Sequence, residues 1–231
     1  MILAQRLLAC AAPLPPAGVH ISSSLAANVG ASGTLFSIPE GVTDVAMALV
    51  PNGGNGAWTS FPTAFYAGGG GGWASRNSLA VVPGNSLRYR VVNWADGRHE
   101  IQIYINGVNG NATVLSARRG TSAQSGNSHG IGGAGVSGPT NGSGQAGSNN
   151  NRGGSAGKSG GATNNTTDSS EGYGIVPGTD SWAYQHQAGY GRGGIAKSDG
   201  SSQAGGGAVL MIVWGPGKGF SAGPGSYWPF A

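Results

Sequence analysis

Between about residue 115 and residue 207, glycine recurs at intervals of three. Gly132, Gly135, Gly138, Gly144, Gly147 and Gly153 fall on one three-residue register, and Gly154, Gly157 and Gly160 continue on the next. A polyproline II helix has three residues per turn, so glycine at that period strips one face of such a helix of side chains. Neighbouring helices can then approach until their backbones bond directly, N–H to O, with weaker Cα–H···O contacts in support. Collagen uses the same arithmetic but needs an unbroken Gly-X-Y repeat and abundant proline. Here only Pro139 lies between Gly120 and Gly174, and the period breaks repeatedly. The pattern therefore predicts several short polyglycine II segments stacked side by side and joined by loops.

Ordering such a chain is entropically costly, because 47 of its 231 residues are glycine and glycine loses the most backbone freedom on folding. Low-complexity disorder usually lacks large apolar side chains. This chain keeps six Trp, seven Tyr and five Phe, which favours order. The formal net charge is +4, from twelve basic and eight acidic residues. The basic residues are spread thinly, and only Arg118 and Arg119 are adjacent. Nucleic-acid proteins concentrate such residues on one stripe, so no nucleic-acid partner is expected; the excess suits solubility or attraction to an anionic cell envelope.

Residues 1–30 are apolar and punctuated by Pro13, Pro15 and Pro16, unlike the rest of the chain, and read as an attachment segment. Its first ten residues fit a short amphipathic helix docked on another chain, a swapped strand or a frayed tail. Arg6 interrupts the apolar run before Cys10, which argues against a lipoprotein signal. No run approaches the ~18 apolar residues of a membrane-spanning helix, so membrane insertion is not expected. With Cys10 as the single cysteine, neither an intrachain disulfide nor a cysteine-rich metal site is available.

Strand signals bracket the glycine region. Leu35, Phe36 and Ile38 precede the turn Pro39-Glu40-Gly41, and Val42, Val45, Met47 and Leu49 come after it. A second region, Ser78 to Val92, is broken at Pro83-Gly84-Asn85. In a third, Ile101, Ile103 and Ile105 alternate with Gln102 and Tyr104 before the tight-turn pair Asn106-Gly107. Gly207 to Trp214 is a continuous apolar run, the mark of a central strand, and is expected to pair with the early strands. From about residue 115 to residue 207 the strand signal vanishes. The fold class expected is mainly β plus irregular: a β-structured base carrying stacked polyglycine II helices and exposed loops. Its organisation is an attachment segment (1–30), a glycine-rich domain (31–218) and a C-terminal tail (219–231).

Four stretches, taken together, carry a family resemblance: Phe36-Ser-Ile-Pro-Glu-Gly-Val-Thr-Asp-Val45, the run Gly68 to Gly72, Val82-Pro-Gly84 followed by Leu87-Arg-Tyr-Arg-Val91, and Gly205-Gly-Gly-Ala-Val-Leu-Met-Ile-Val-Trp-Gly-Pro-Gly217. In order and spacing they resemble the glycine-rich domain of bacteriophage tail fibres, and more distantly the distal adhesins of T-even-like phages. The resemblance spans roughly residues 33–218. It implies a non-enzymatic receptor-binding protein of the virion, at the tail fibre or tail tip, that adsorbs to a bacterial surface receptor: a polysaccharide, a pilus or an outer-membrane protein. Other tail-fibre chains, met through the N-terminal segment, and an oligomer such as a homotrimer are the further partners expected. A structural or ice-binding protein built on the same lattice is the alternative.

Two aromatic groups interrupt the glycine pattern and are the candidate receptor-binding residues, with recognition expected above all in Asn164 to Tyr190 and secondarily in Asn52 to Ala67. Asn164 to Tyr190 holds Tyr173, Trp182, Tyr184, His186 and Tyr190 among Ser, Asn and Gly, the composition of antibody loops, where rigid aromatics supply contact area and small polar residues adapt. Trp58, Phe61 and Tyr66, with Phe65 and Trp73, form the second group. Either group can be displayed or can pack to order its own loop. The four histidines are scattered, without zinc-ligand spacing, so neither metal nor cofactor is expected. Asp96 with Glu100 and Asp168 with Glu171 are the close carboxylate pairs, and neither has an apolar pocket in sequence to raise a pKa; no catalytic residue is assigned.

Overall fold

Alternating apolar residues build two antiparallel sheets. In the computed structural model the described residues are 17–23, 25, 30–60, 63–94, 98–123, 131–143, 173–177, 182–186, 190–194 and 204–220. In chain order the strands are β1 (Gly18–Ser22), β2 (Ser32–Ser37), β3 (Asp44–Val50), β4 (Ala57–Ser60), β5 (Thr63–Tyr66), β6 (Trp73–Ala80), β7 (Ser86–Asn93), β8 (His99–Ile105), β9 (Thr113–Arg118), β10 (Gly135–Ser137), β11 (Thr140–Gly142), β12 (Tyr173–Pro177), β13 (Trp182–His186) and β14 (Val209–Trp214). One five-stranded sheet runs β1-β14-β3-β6-β11 and the other β10-β9-β8-β7-β2. The pairs β4-β5 and β12-β13 stand as separate hairpins. There is no helix among the described residues, hence none long and apolar enough to cross a membrane.

The two sheets face each other across one core. Leu87, Tyr89 and Val91 of β7, Ile101, Ile103 and Ile105 of β8 and Leu115 of β9 pack with Val45, Met47 and Leu49 of β3 and Leu210 and Ile212 of β14. Burying each such side chain fully is worth about 1.5–3 kcal/mol. The first sheet is buried on its other face too, where Ala46, Ala48 and Val50 of β3 meet Val209, Met211 and Val213 of β14, with Trp73 and Phe220. That double burial is why β3 and β14 read as continuous apolar runs rather than alternating ones. As the sequence predicts, β14 is central: it pairs with β3 on one side and β1 on the other.

The turns at Pro39-Glu40-Gly41 and Pro83-Gly84-Asn85 do not close hairpins. Each carries the chain from one sheet to the other, β2 to β3 and β6 to β7. The two crossovers lie together: the Ile38 amide donates to the Asn85 carbonyl (2.8 Å) and the Gly84 amide to the Ile38 carbonyl (3.0 Å). Gly41 and Gly84 sit at φ of 79° and 84°, a region open to glycine at little cost.

The strands extend beyond the predicted ones. Residues 18–22, inside the expected attachment segment, form β1 along β14; residues 1–16 lie outside the described residues. β9 to β13 fall where apolar alternation fades. β10 and β11 are three-residue edge strands of Gly, Val, Ser, Thr and Asn, whose pairing relies on backbone bonds and leaves little pattern in sequence. Phe220, in the expected C-terminal tail, is buried; the Asn77 side chain donates to its carbonyl (2.8 Å) and accepts from its amide (2.7 Å).

Candidate recognition tip

Five strands run straight into extended segments, four of them rich in glycine, at one end of the sandwich. β3 continues into 51–56, β9 into 119–123, and 67–72, 131–134 and 204–208 lead into β6, β10 and β14. A sixth segment, 190–194, joins them without a long strand of its own. Their backbones bond to one another. The Gly68 and Gly71 amides donate to the Gly194 and Gly191 carbonyls (2.9 and 2.7 Å), while those of Gly69 and Gly72 donate to Thr121 and Arg118 (3.1 and 3.0 Å). Each bonding direction thus recurs every three residues. Segment 67–72 also accepts from Gly54 at Gly69 (2.8 Å) and from Gly133 at Gly70 (2.8 Å). Its four bonded neighbours exclude an ordinary sheet, in which a strand has two.

Side chains are excluded where segments touch. A Cβ on Gly205 would lie 2.6 Å from the Gly53 carbonyl carbon, and one on Gly133 would lie 2.7 Å from the Gly72 nitrogen. Cβ atoms on Gly53, Gly54, Gly68, Gly69 and Gly120 would likewise fall on neighbouring backbone.

This bundle has a near end, fixed by the sandwich, and a far end. At the far end the chain leaves Gly56 and returns at Ala67, leaves Ala123 and returns at Ile131, and leaves Gly194 and returns at Ala204. The first of these connections is the β4-β5 hairpin; 124–130 and 195–203 lie outside the described residues. In the hairpin, Trp58 stands opposite Phe65 and Ala57 opposite Tyr66. Tyr66 is half-buried. Phe61 lies outside the described residues.

The second aromatic group sits elsewhere. β11 runs toward the near end, with Gly142 opposite Trp73, and the chain rejoins the bundle at Tyr190, also at the near end, beside Gly207. Residues 144–189 therefore leave and return at the junction of sandwich and bundle. Within this stretch β12 and β13 pair Tyr173 with His186, Ile175 with Tyr184 and Pro177 with Trp182. The three pairs fall at alternate positions of the two strands. The spacing Tyr-x-Ile-x-Pro and Trp-x-Tyr-x-His is the signal in sequence that marks this stretch as paired strands rather than open loop. Tyr190 itself packs, half-buried, against the Met211 and Val213 side of the first sheet. The glycine register from Gly144 to Gly160 lies outside the described residues, while Gly135 begins β10 and Gly138 turns the chain into β11.

At the junction, the Arg119 amide donates to the His99 carbonyl (3.0 Å), and burial lowers the pKa of its guanidinium from the usual value. The polar residues at the segment edges satisfy one another: Thr121 Oγ1 accepts from the Ile131 amide (2.7 Å), Ser122 Oγ from the Asn55 amide (3.1 Å), and Asn55 Oδ1 from the Gly205 amide (3.0 Å). Among the described residues no three of His, Cys, Asp and Glu converge as metal ligands would. Comparison with known proteins finds neither a matching family nor a matching curated protein.

Proposed function

We propose that this chain is the receptor-binding tip of a bacteriophage tail fibre, a non-enzymatic adhesin of the virion. The six glycine segments are short polyglycine II helices, and together they hold recognition elements away from the sandwich. One observation carries the reading: backbone hydrogen bonds that recur every three residues and join one segment to four others. Such a bundle has few side-chain degrees of freedom, so its connections can change in sequence without disturbing what supports them. The chain leaves and re-enters the bundle three times at the far end, where an attached fibre first encounters a cell. The ligand is a bacterial surface receptor, whether polysaccharide, pilus or outer-membrane protein, and many fibres engaging together supply avidity. Residues before β1 join the tip to other tail-fibre chains in an oligomer.

The test is direct binding of the labelled, purified chain to bacteria with defined surface deletions. Binding that disappears with one deletion supports the reading and names the receptor. Equal binding to every strain, or thermal hysteresis in place of binding, replaces it with the structural alternative.

A further inference from the structure

Away from the bundle's far end, the outward face of the second sheet carries a connected polar and aromatic array. The inward set of Leu87, Tyr89 and Val91 on β7, Ile101 and Ile103 on β8 and Leu115 and Ala117 on β9 places Arg88, Arg90, Glu100, Gln102 and Arg118 on the opposite face. Trp94, just after β7, joins them and is 40% exposed.

Its indole is fixed from two directions. Nε1 donates to Glu100 Oε2 at 2.5 Å, and the Arg118 guanidinium carbon lies 3.8 Å from the ring centroid. Glu100, only 2% exposed, is held in turn by Gln102 Nε2 on Oε1 (2.9 Å) and by Arg118 Nε at 3.6 Å from Oε2. Gln102 Oε1 accepts from Arg90 Nε (2.8 Å) and Thr113 Oγ1 (3.2 Å). A continuous chain of bonds therefore crosses β7, β8 and β9 from an exposed aromatic ring to an arginine.

Arg118 lies over one face of the indole, and Trp94 stays 40% exposed. A rigid, half-covered indole is a platform for the C–H face of a pyranose ring, and one already ordered loses little entropy on binding. Among the described residues of this face Arg88, Arg90 and Arg118 stand against one carboxylate, Glu100, an excess of two positive charges. Guanidinium groups pair in planar, bidentate fashion with carboxylates. Glu100 and Gln102 are two residues apart, about 7 Å along the strand, so platform and Arg90 are spaced on the scale of one or two sugar residues.

We propose that this sheet face binds an acidic polysaccharide, with the Trp94 indole stacked on a pyranose ring and Arg90 and Arg88 paired with the carboxylate of a hexuronate unit. The site is independent of the far-end connections and adds a glycan contact on the flank of the sandwich.

Isothermal titration with tetragalacturonate, and with maltotetraose as the neutral control, tests it. The intact chain is expected to bind tetragalacturonate at least about tenfold more tightly than maltotetraose, and Trp94→Ala is expected to lose about tenfold or more. That substitution leaves net charge unchanged, so the loss cannot come from weaker bulk attraction. Trp94→Phe, which keeps a flat ring, should retain most of the affinity. The proposal is overturned if the intact chain fails to bind tetragalacturonate, if it binds both sugars equally, or if Trp94→Ala binds as the parent does. Should Trp94→Ala melt early, Arg88→Gln with Arg90→Gln is compared with Lys158→Gln and Lys197→Gln, which remove the same charge: selective loss in the arginine variant supports the site, and equal behaviour of the two overturns it. Cell adsorption of the same variants separates this site from the tip, since a failed glycan site leaves far-end binding intact.

Discussion

Gly205 lies so close to Gly53 that a Cβ on it would stand 2.6 Å from the Gly53 carbonyl carbon and oxygen. Two residues on, a Cβ at Gly207 would meet only the Tyr190 ring, at 3.6 Å. Backbone cannot rotate away as a side chain can. Gly205→Ala is therefore expected to cost about 2–3 kcal/mol, at the upper end for overpacking, while Gly207→Ala stays within about 0.5 kcal/mol. Urea melts of the two variants decide the matter; equal midpoints would mean that the segments do not touch as described.

The sandwich makes a different demand, for volume rather than its absence. Ile103 is fully buried between the sheets and Met211 fully buried on the outer side of the first sheet. Ile103→Ala and Met211→Ala are each expected to lose about 2–5 kcal/mol. Val82, 60% exposed, is the control, and Val82→Ala should change stability by less than about 0.5 kcal/mol. If Met211→Ala behaves like Val82→Ala, the second cluster is loosely covered and the sheet is effectively one-sided.

The difference between these two demands explains what is legible in the sequence. Ile101, Ile103 and Ile105 alternate because one face of β8 is apolar, and the β14 run is continuous because both faces are buried; both patterns are local and visible. The topology is not, because nothing near Gly41 or Gly84 says that a turn crosses between sheets. Glycine obeys yet another rule. Segment 67–72 has four bonded neighbours and is glycine at five consecutive positions, Gly68 to Gly72, whereas 118–123, at the side of the bundle, contains Gly120 alone. A segment bonded on four sides needs every face cleared, which puts glycine at consecutive positions and leaves no three-residue period in the sequence. A search for that period passes over segment 67–72 in the middle of the bundle, while Gly135 and Gly138 of the periodic register stand at β10 and its turn into β11. Of the candidate site, residue types are legible but not their placement: nothing local to Trp182 or Trp58 says which of them lies at the far end.

The segment after β14 is tied down by Asn77, whose side chain bonds both the amide and the carbonyl of Phe220. Asn77→Ala removes both of these part-buried hydrogen bonds and is expected to cost about 2 kcal/mol. The nearby ion pair between Lys218 and Asp44 is partly exposed, so Lys218→Gln should cost less than about 1 kcal/mol, with the difference shrinking as salt is added. Thermal melts at low and high salt separate the two; a larger loss from Lys218→Gln would show that charge, not the amide clamp, holds Phe220 in place.

Position along the bundle yields the functional prediction. Trp58 and Phe61 belong to the connection between Gly56 and Ala67 at the far end, while Trp182 and Tyr184 belong to the excursion that leaves and rejoins at the junction. Large aromatics dominate interfaces where they contact the partner, at about 2 kcal/mol or more each. Trp58→Ala with Phe61→Ala is therefore expected to lower adsorption to host cells by at least about thirtyfold, and Trp182→Ala with Tyr184→Ala by much less. Both variants should melt near the parent temperature, because the β4-β5 and β12-β13 hairpins stand apart from the two five-stranded sheets. Quantitative cell binding alongside melting temperature tests the assignment. If the junction variant loses adsorption while the far-end variant keeps it, contact is made by the flank of the bundle, and the β12-β13 hairpin becomes the recognition element.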